Sequence, residues 1–227
     1  MKCCVEAMIF LTTMISAGVQ AQSNALAALK RIWQAYHPKQ QIMFQSTIRI
    51  FPKSSEKDPE ETIVGRFVLE PGKYYCAIGM IEMLQNGRYF VSVDNSSRVL
   101  VAGRNSNIGV NLQSVFFTPE KFISLLRAGK YRATLRASGG TAQLMLLPVS
   151  VNENPPISLE FDSSSGFLSR VRIENVSGIK AIDILYTKPV NTKNKASLFS
   201  QERYFTIRNG RVTLSAKYKN YQLISHL

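Results

Sequence analysis

The chain has 227 residues, 45% of them hydrophobic, and a formal net charge of +13. That balance suits a single globular domain, and the charge draws its surface towards acidic partners. Of the three cysteines, Cys3 and Cys4 lie in an N-terminal leader and only Cys76 follows it, which excludes an intramolecular disulfide.

The leader is residues 1–21. Lys2 precedes an apolar run, Ala7 to Gly18, and Val19-Gln20-Ala21 forms a small-x-small cleavage signal before Gln22. The run falls short of the ~20 residues a bilayer span needs. A secretory signal peptide fits best, with a buried N-terminal helix as the alternative. The remaining domain, 22–227, then keeps its positive charge in an exported compartment. There the acidic partners are anionic lipid headgroups and acidic proteins; nucleic acid is not expected.

Ser23 and Asn24 can cap a first helix running to about Ala35, with Leu26, Leu29, Trp33 and Tyr36 on one stripe. His37-Pro38 ends it. Ile48 and Ile50 pattern a strand, and a charged loop from Pro52 to Glu61 follows. Ile63, Gly65, Phe67 and Leu69 pattern the next, which Pro71-Gly72 turns around. Tyr74 to Ile78 and Ile81 to Gln85 lead to Asn86-Gly87, a hairpin signal. Tyr89, Val91 and Val93 return, and Arg98 to Ala102 completes a meander. Gly103 to Phe117 reads as an ordered loop.

Thr118-Pro119 starts a second helix, with Phe122, Ile123, Leu125 and Leu126 on its apolar side and Gly129 at its end. Tyr131, Ala133 and Leu135 alternate with Arg132, Thr134 and Arg136. Gly139-Gly140 turns into Gln143 to Leu147. The clearest alternation comes next: Ile157, Leu159 and Phe161 against Ser158, Glu160 and Asp162, then Val171 and Ile173 against Arg170, Arg172 and Glu174. Ile182, Ile184 and Tyr186 share a side. Side chains on a strand alternate between faces, so this reads as antiparallel sheet with one dry and one wet face. Lys188 to Ser200 reads as a polar loop. Tyr204 to Arg208 and Val212 to Ser215 flank the Asn209-Gly210 turn, and Lys217 to Ile224 reads as a last, Tyr-rich strand.

About eleven strands and two helices result. The fold class is mainly β with a few helices (α+β). A sheet of this size curls, closes or splits. Two short helices cannot cover a flat dry face of that extent, but a strongly curved antiparallel sheet wrapped around it can.

Catalytic chemistry is hard to find. The chain has two histidines, His37 beside a proline and His226 next to the end, and neither has metal-ligand or nucleophile-base spacing. Gly139-Gly140 lacks the Lys-Ser/Thr and helix of a phosphate loop. Glu160 and Asp162 face water, with no reason for raised pKa values. Ser163-Ser164-Ser165-Gly166 is turn material, not a nucleophile elbow. The expectation is a protein that is not an enzyme and has no cofactor or metal. Lys130-Tyr131-Arg132, Arg203-Tyr204 and Lys217-Tyr218-Lys219 resemble nucleic-acid-binding patterns. Strands with Tyr inward and Lys or Arg outward explain them better.

The order of motifs from Gly65 to Gly103 resembles the periplasmic outer-membrane lipoprotein carrier family (LolA-like). The residues are Gly65-Arg66-Phe67-Val68-Leu69, Pro71-Gly72-Lys73-Tyr74, Asn86-Gly87-Arg88-Tyr89-Phe90 and Val93-Asp94-Asn95. Thr118-Pro119 to Leu126 is similar to the family's central helix, Leu144 to Pro148 to its "L-x-P" strand end, and Ile157 to Glu174 to its paired strands. The resemblance implies a LolA-like domain over 22–227: an incomplete β-barrel, with helices as a lid over an apolar cavity. It implies carriage of the acyl chains of lipoproteins, or of other lipid, from an inner-membrane releasing complex to an outer-membrane acceptor. Two departures stand out. Glu70 occupies a position where the family often has Arg, and the Tyr-rich end stands where many members have another tail.

On this reading the cavity is lined by Ile48, Ile50, Phe67, Leu69, Tyr89, Val91, Leu135, Leu144, Leu159, Phe161, Val171 and Ile184. The lid contributes Leu26, Leu29, Trp33, Phe122 and Leu126, and the protein is a monomer. A filled core without a cavity is the structural alternative. The functional alternative is a periplasmic sensor or protein-interaction module on the same scaffold.

Overall fold

The computed structural model describes residues 22–55, 57–105, 119–150, 154–176, 178–192 and 196–227. Residues 1–21, the expected leader, Thr118 and most of the Gly103 to Phe117 segment lie outside the described residues. The elements run in chain order as helix α1 (22–35), then β1 (Ile42–Pro52), β2 (Glu61–Glu70), β3 (Lys73–Ile78), β4 (Ile81–Gln85), β5 (Tyr89–Asp94) and β6 (Val99–Arg104). Helix α2 (Pro119–Arg127) precedes β7 (Tyr131–Ser138), β8 (Thr141–Pro148), β9 (Ile157–Asp162), β10 (Leu168–Glu174) and β11 (Ile179–Tyr186). Last come β12 (Val190–Asn191), β13 (Phe205–Arg208), β14 (Arg211–Leu214) and β15 (Gln222–His226). The fold is mainly β with two α-helices among the described residues. Strands β7 and β15 are the terminal strands of the larger sheet.

The chain forms two compact units, each assembled from separate stretches. The first comprises the described residues of Met1–Ala35, Ile50–Glu60 and Pro119–Ile184, with strand order β11-β10-β9-β8-β7. The second comprises those of Tyr36–Arg49, Glu61–Thr118 and Leu185–Leu227, with strand order β15-β6-β5-β4-β3-β2-β1.

In the first unit the expected alternation sets the pairing. Leu135, Leu144, Leu159 and Val171 stand directly opposite one another across β7 to β10. Slipping any of these strands by one residue would turn its apolar set to the other face, so the register is strongly specified. Helix α1 buries Ala25, Ala28, Leu29 and Ile32, an i, i+3, i+4, i+7 stripe. Its buried stripe is thus turned from the expected one, with Leu26 and Trp33 only partly buried at its edge. Small alanines let a helix backbone approach closely, which the search for large residues overlooked. Close approach is visible at Gly166 (φ 80°), where an added Cβ would lie 2.6 Å from the Arg31 carbonyl oxygen. Arg31 also donates a hydrogen bond from Nη1 to the Ser163 carbonyl, and Gln22 Nε2 donates to the Leu126 carbonyl at 2.9 Å. These contacts fix α1 against the β9–β10 turn and the end of α2.

The second unit departs further from the expectation. Strand β1 begins at Ile42, well before Ile48, and its buried positions include Ile42, Phe44 and Ser46. The supposed polar loop contains β12, which pairs with β1, and a 3-10 turn, Ala196–Phe199, that buries Phe199. The supposed strand from Lys217 starts instead with a 3-10 turn, Ala216–Tyr218, before β15 pairs parallel to β6. Burial of Tyr218 explains the change: its ring stacks on Tyr204 at 5.5 Å, which a solvent-facing edge strand could not provide. At Asn209-Gly210 the expected hairpin forms, both residues having positive φ, 50° and 74°, as a type I′ turn requires.

Candidate apolar binding faces

The rule of one dry and one wet face fails across β2 to β5. Directly paired residues point to the same face, so the registers sort the side chains. One face carries the row Phe67, Cys76, Met83, Ser92 and the row Leu69, Tyr74, Gln85, Phe90. The opposite face carries Val68, Tyr75, Leu84 and Val91, continuing to Ala102. Both are buried. Phe67 and Leu69 therefore lie on a different face from Tyr89 and Val91, and these four residues do not line one surface.

The Val91 face is a filled core. Phe199, Tyr204, Phe205 and Tyr218 of the C-terminal segment pack on it, and Tyr89 meets Phe205 edge-on at 5.6 Å. A buried carboxylate, Glu82, ties that segment down. It accepts from the hydroxyls of Tyr204 at 2.7 Å and Tyr218 at 3.1 Å, and from Arg203 at 3.0 Å. Such a network satisfies a charge that could not otherwise be buried. Burial pushes the Tyr204 hydroxyl well above its ordinary pKa, helped by its bond to Glu82.

The Phe67 face has a different character. Phe44 stacks on Phe67 at 4.9 Å, meets Tyr36 edge-on at 5.4 Å and lies 6.2 Å from Tyr186. Phe67, Leu69, Tyr74, Cys76, Met83 and Phe90 are buried on it. Burial drives the Tyr186 hydroxyl far above its usual range and pushes the Cys76 thiol up to about 12. Ser46 Oγ and Gln85 Oε1 are buried without a hydrogen-bond partner among the described residues. Gly65 brings Ser46 to this face, since a Cβ there would meet Ser46 Oγ at 2.7 Å. An apolar surface with a few unsatisfied polar atoms is the composition of a small-ligand site. The sequence reading missed Phe44, although its alternation with Ile42 was visible. It also missed Tyr36 and Tyr186 as ring partners of Phe44, which no local pattern reveals.

In the first unit, Leu144, Leu159, Phe161 and Val171 are buried and Leu135 is partly buried. Asp183 is also buried, and Arg170 closes on it with two bonds of 2.7 and 3.0 Å. Arg170 stands opposite Glu160, on the polar side of β10. Alternation then puts Ile184 on the side of Val171, where it is partly buried. Ile50 is partly buried at the far end of β1, in this unit, whereas Ile48, equally partly buried, belongs to the second. Of the expected lid residues, Leu29 and Leu126 are buried, while Leu26, Trp33 and Phe122 are partly buried. Asp162 sits in a turn where the Ser164 hydroxyl and the Ser165 backbone N–H and hydroxyl hold its carboxyl below the usual range.

Glu70 is held by Lys73 at 2.9 Å and by Gln41 Nε2 at 3.1 Å. Gln41 in turn accepts from Thr192 at 2.9 Å. The residue that departs from the carrier pattern thus ties β2 to the segments flanking β1 and β12. Among the described residues no three His, Cys, Asp or Glu side chains converge, and no helix is long and apolar enough to cross a membrane.

No family model and no curated protein matches the chain. Solved structures do resemble it. MucB in complex with MucA(peri) is 11% identical with a TM-score of 0.47 over 77% of this chain, which spans 58% of that MucB chain. An uncharacterized conserved protein from Thermus thermophilus is 13% identical with a TM-score of 0.49, covering 89% of this chain and 99% of that one. A LolA superfamily protein from Nitrosomonas europaea is 11% identical with a TM-score of 0.39, covering 78% and 98%. At these identities, with every TM-score below 0.5, the chain is similar to these structures and no family follows from the likeness.

Proposed function

We propose that the protein is a periplasmic carrier that shelters the acyl chains of lipoproteins, or of other lipids, and moves them towards the outer membrane. The supporting observation is the Phe67 face: two buried apolar rows, an aromatic cluster around Phe44, and two unpartnered polar atoms. The in-register row from Leu135 to Val171 supplies a second apolar strip in the other unit. No catalytic role is assigned to any residue, and the working form is a monomer. An inner-membrane releasing complex and an outer-membrane acceptor are its partners on this reading, with residues 1–21 as the export signal.

Energetics shape the carrier's needs. Each methylene leaving water contributes ~0.8 kcal/mol, so one fully buried ~16-carbon chain gains ~13 kcal/mol. Release at a useful rate requires an internal competitor for the same surface. Helix α2 suits that role for the Leu135 to Val171 strip of its own unit: it has nine residues, too few for a stable helix on its own. Its Phe122, Ile123 and Leu125 are only partly buried. Its apolar side can leave when cargo arrives and return when cargo departs.

The test is organic extraction and mass spectrometry of protein purified from an exporting host, followed by titration with a fluorescent fatty acid. Acyl chains in the wild-type extract, and weaker titration in Trp33→Asp with unchanged circular dichroism, support the carrier. A wild-type protein free of lipid that fails to bind the probe sinks it. A second reading, a protein-interaction module, draws on β15, a terminal strand with exposed Gln222, Ile224, Ser225 and His226. Such an edge can accept another chain's strand. Lipid-free protein that captures a periplasmic partner through this edge would favour it.

A further inference from the structure

The second unit also carries an open basic cavity of about 390 Å³, lined by Gly87, Arg88, Tyr89, Arg104 and Asn105. Its position follows from the β4–β5 hairpin and the end of β6. Tyr89 stands directly opposite Arg104, and the Asn105 N–H donates to the Arg88 carbonyl at 3.0 Å. Asn86 braces the turn below, accepting from the Arg88 and Tyr89 N–H groups at 2.9 and 2.8 Å and donating to the Phe199 carbonyl at 3.0 Å. Asn105 donates through Nδ2 to the Asn86 carbonyl. The two arginines therefore rise from a hydrogen-bonded base rather than from a free loop.

Three features give this cavity its chemistry. Both arginine side chains are exposed, and neither has an ion-pair or hydrogen-bond partner among the described residues. The other arginines with recorded side-chain bonds include Arg170 on Asp183 and Arg203 on Glu82, so pairing is used elsewhere in this chain. No carboxylate is among the described lining residues. Finally, no atom of the described residues lies within 4 Å of a Cβ placed on Gly87, so a ligand can approach the backbone there. Two guanidinium forks over a cavity with Tyr and Asn donors match a tetrahedral oxyanion, which takes parallel N–H bonds from each fork.

We propose that Arg88 and Arg104, with Tyr89 and Asn105, form a binding site for a phosphate group. The site does not depend on the carrier reading, because its residues belong to neither apolar row. A phosphate could be presented by a lipid headgroup at a membrane surface or by a free phosphate ion. The two sources predict different behaviour of one set of variants.

The experiment uses the full protein after export, with two probes. One is inorganic phosphate, followed by chemical shifts of the arginine side-chain N–H groups. The other is flotation with phosphatidylglycerol vesicles against phosphatidylcholine vesicles. Arg88→Gln and Arg104→Gln should each weaken binding about tenfold, and Arg104→Lys should weaken it despite keeping the charge. Arg132→Gln with Arg136→Gln, at exposed positions of β7 in the other unit, is the control and removes one charge more than either variant. Unchanged thermal midpoints certify that each variant folds. Loss of phosphate binding in the Arg88 and Arg104 variants alone supports the site with a free anion as ligand. Loss of vesicle binding in the same variants alone supports it with a headgroup as ligand. Equal losses in the control, full retention in Arg104→Lys, or no binding of either probe by the wild type overturns the proposal.

Discussion

Glu82 accepts a 2.7 Å hydrogen bond from the Tyr204 hydroxyl, although 122 residues separate them in the chain. The same carboxylate meets Lys217 at 3.4 Å and the Tyr218 hydroxyl at 3.1 Å. One buried charge thus anchors the turn before β13 and the turn before β15 onto β4. The C-terminal segment is held by this carboxylate and by the packing of Phe199, Phe205 and its tyrosine rings.

Removing that anchor should be costly. Glu82→Ala is expected to lower the unfolding free energy by about 3 kcal/mol, because Arg203 and the two tyrosine hydroxyls lose their common acceptor. Urea unfolding at neutral pH measures it. A loss below about 1 kcal/mol would mean the segment is held by apolar packing alone.

The same group sets a pH dependence. Burial by itself would raise the Glu82 pKa, but the Tyr204 hydrogen bond, Lys217, Arg203 and Tyr218 together outweigh it and lower the value. A folded pKa below the unfolded one means the stabilisation is complete above the unfolded pKa and is lost as pH falls through the folded one. Wild-type stability should therefore decline on acidification in a way that Glu82→Gln does not reproduce. Parallel acid titrations of the two proteins by circular dichroism would reveal the difference.

Gly166 is constrained twice, by its positive φ of 80° and by the Arg31 carbonyl 2.6 Å from any added Cβ. Gly140 has a similar φ of 87° but open space around it. Gly140→Ala should cost only the backbone strain, about 1 kcal/mol, whereas Gly166→Ala should cost clearly more. Thermal midpoints rank the two; equal shifts would show that α1 yields to the added methyl group.

Cys76 is fully buried on the Phe67 face, and burial pushes its thiol up to about 12. At pH 8 it should resist aromatic disulfide reagents in the native protein and react once urea exposes it. Rapid native labelling would mean that this face opens readily.

If α2 competes with cargo, weakening its grip should strengthen cargo binding. Phe122→Ser is expected to tighten fatty-acid binding several-fold, at a stability cost near that of a partly buried aromatic side chain, about 1–2 kcal/mol. Fluorescence titration and urea unfolding of the same variant measure both quantities. Unchanged or weaker affinity would remove α2 from the release step.

Much of the strand order along the chain was legible because alternation is a local property. Ile157, Leu159 and Phe161 declare their face within six residues; Val171 meets Leu159 across the short turn that holds Gly166, and Leu135 meets Leu144 across Gly139-Gly140. The same local rule could not tell that β2 to β5 are covered twice. Whether Val91 meets solvent or Tyr204 depends on where a segment more than a hundred residues later folds back.

Sequence alone therefore determined the mainly-β class, most strand positions and the two helices, since each rests on side-chain period and turn chemistry. Only the tertiary structure decided that Phe67 and Val91 look in opposite directions, that Tyr218 is buried rather than on an edge strand, and that Glu82 is a buried anchor. Those outcomes come from long-range packing and from the demand that a buried charge find partners, and neither leaves a periodic trace among neighbouring residues.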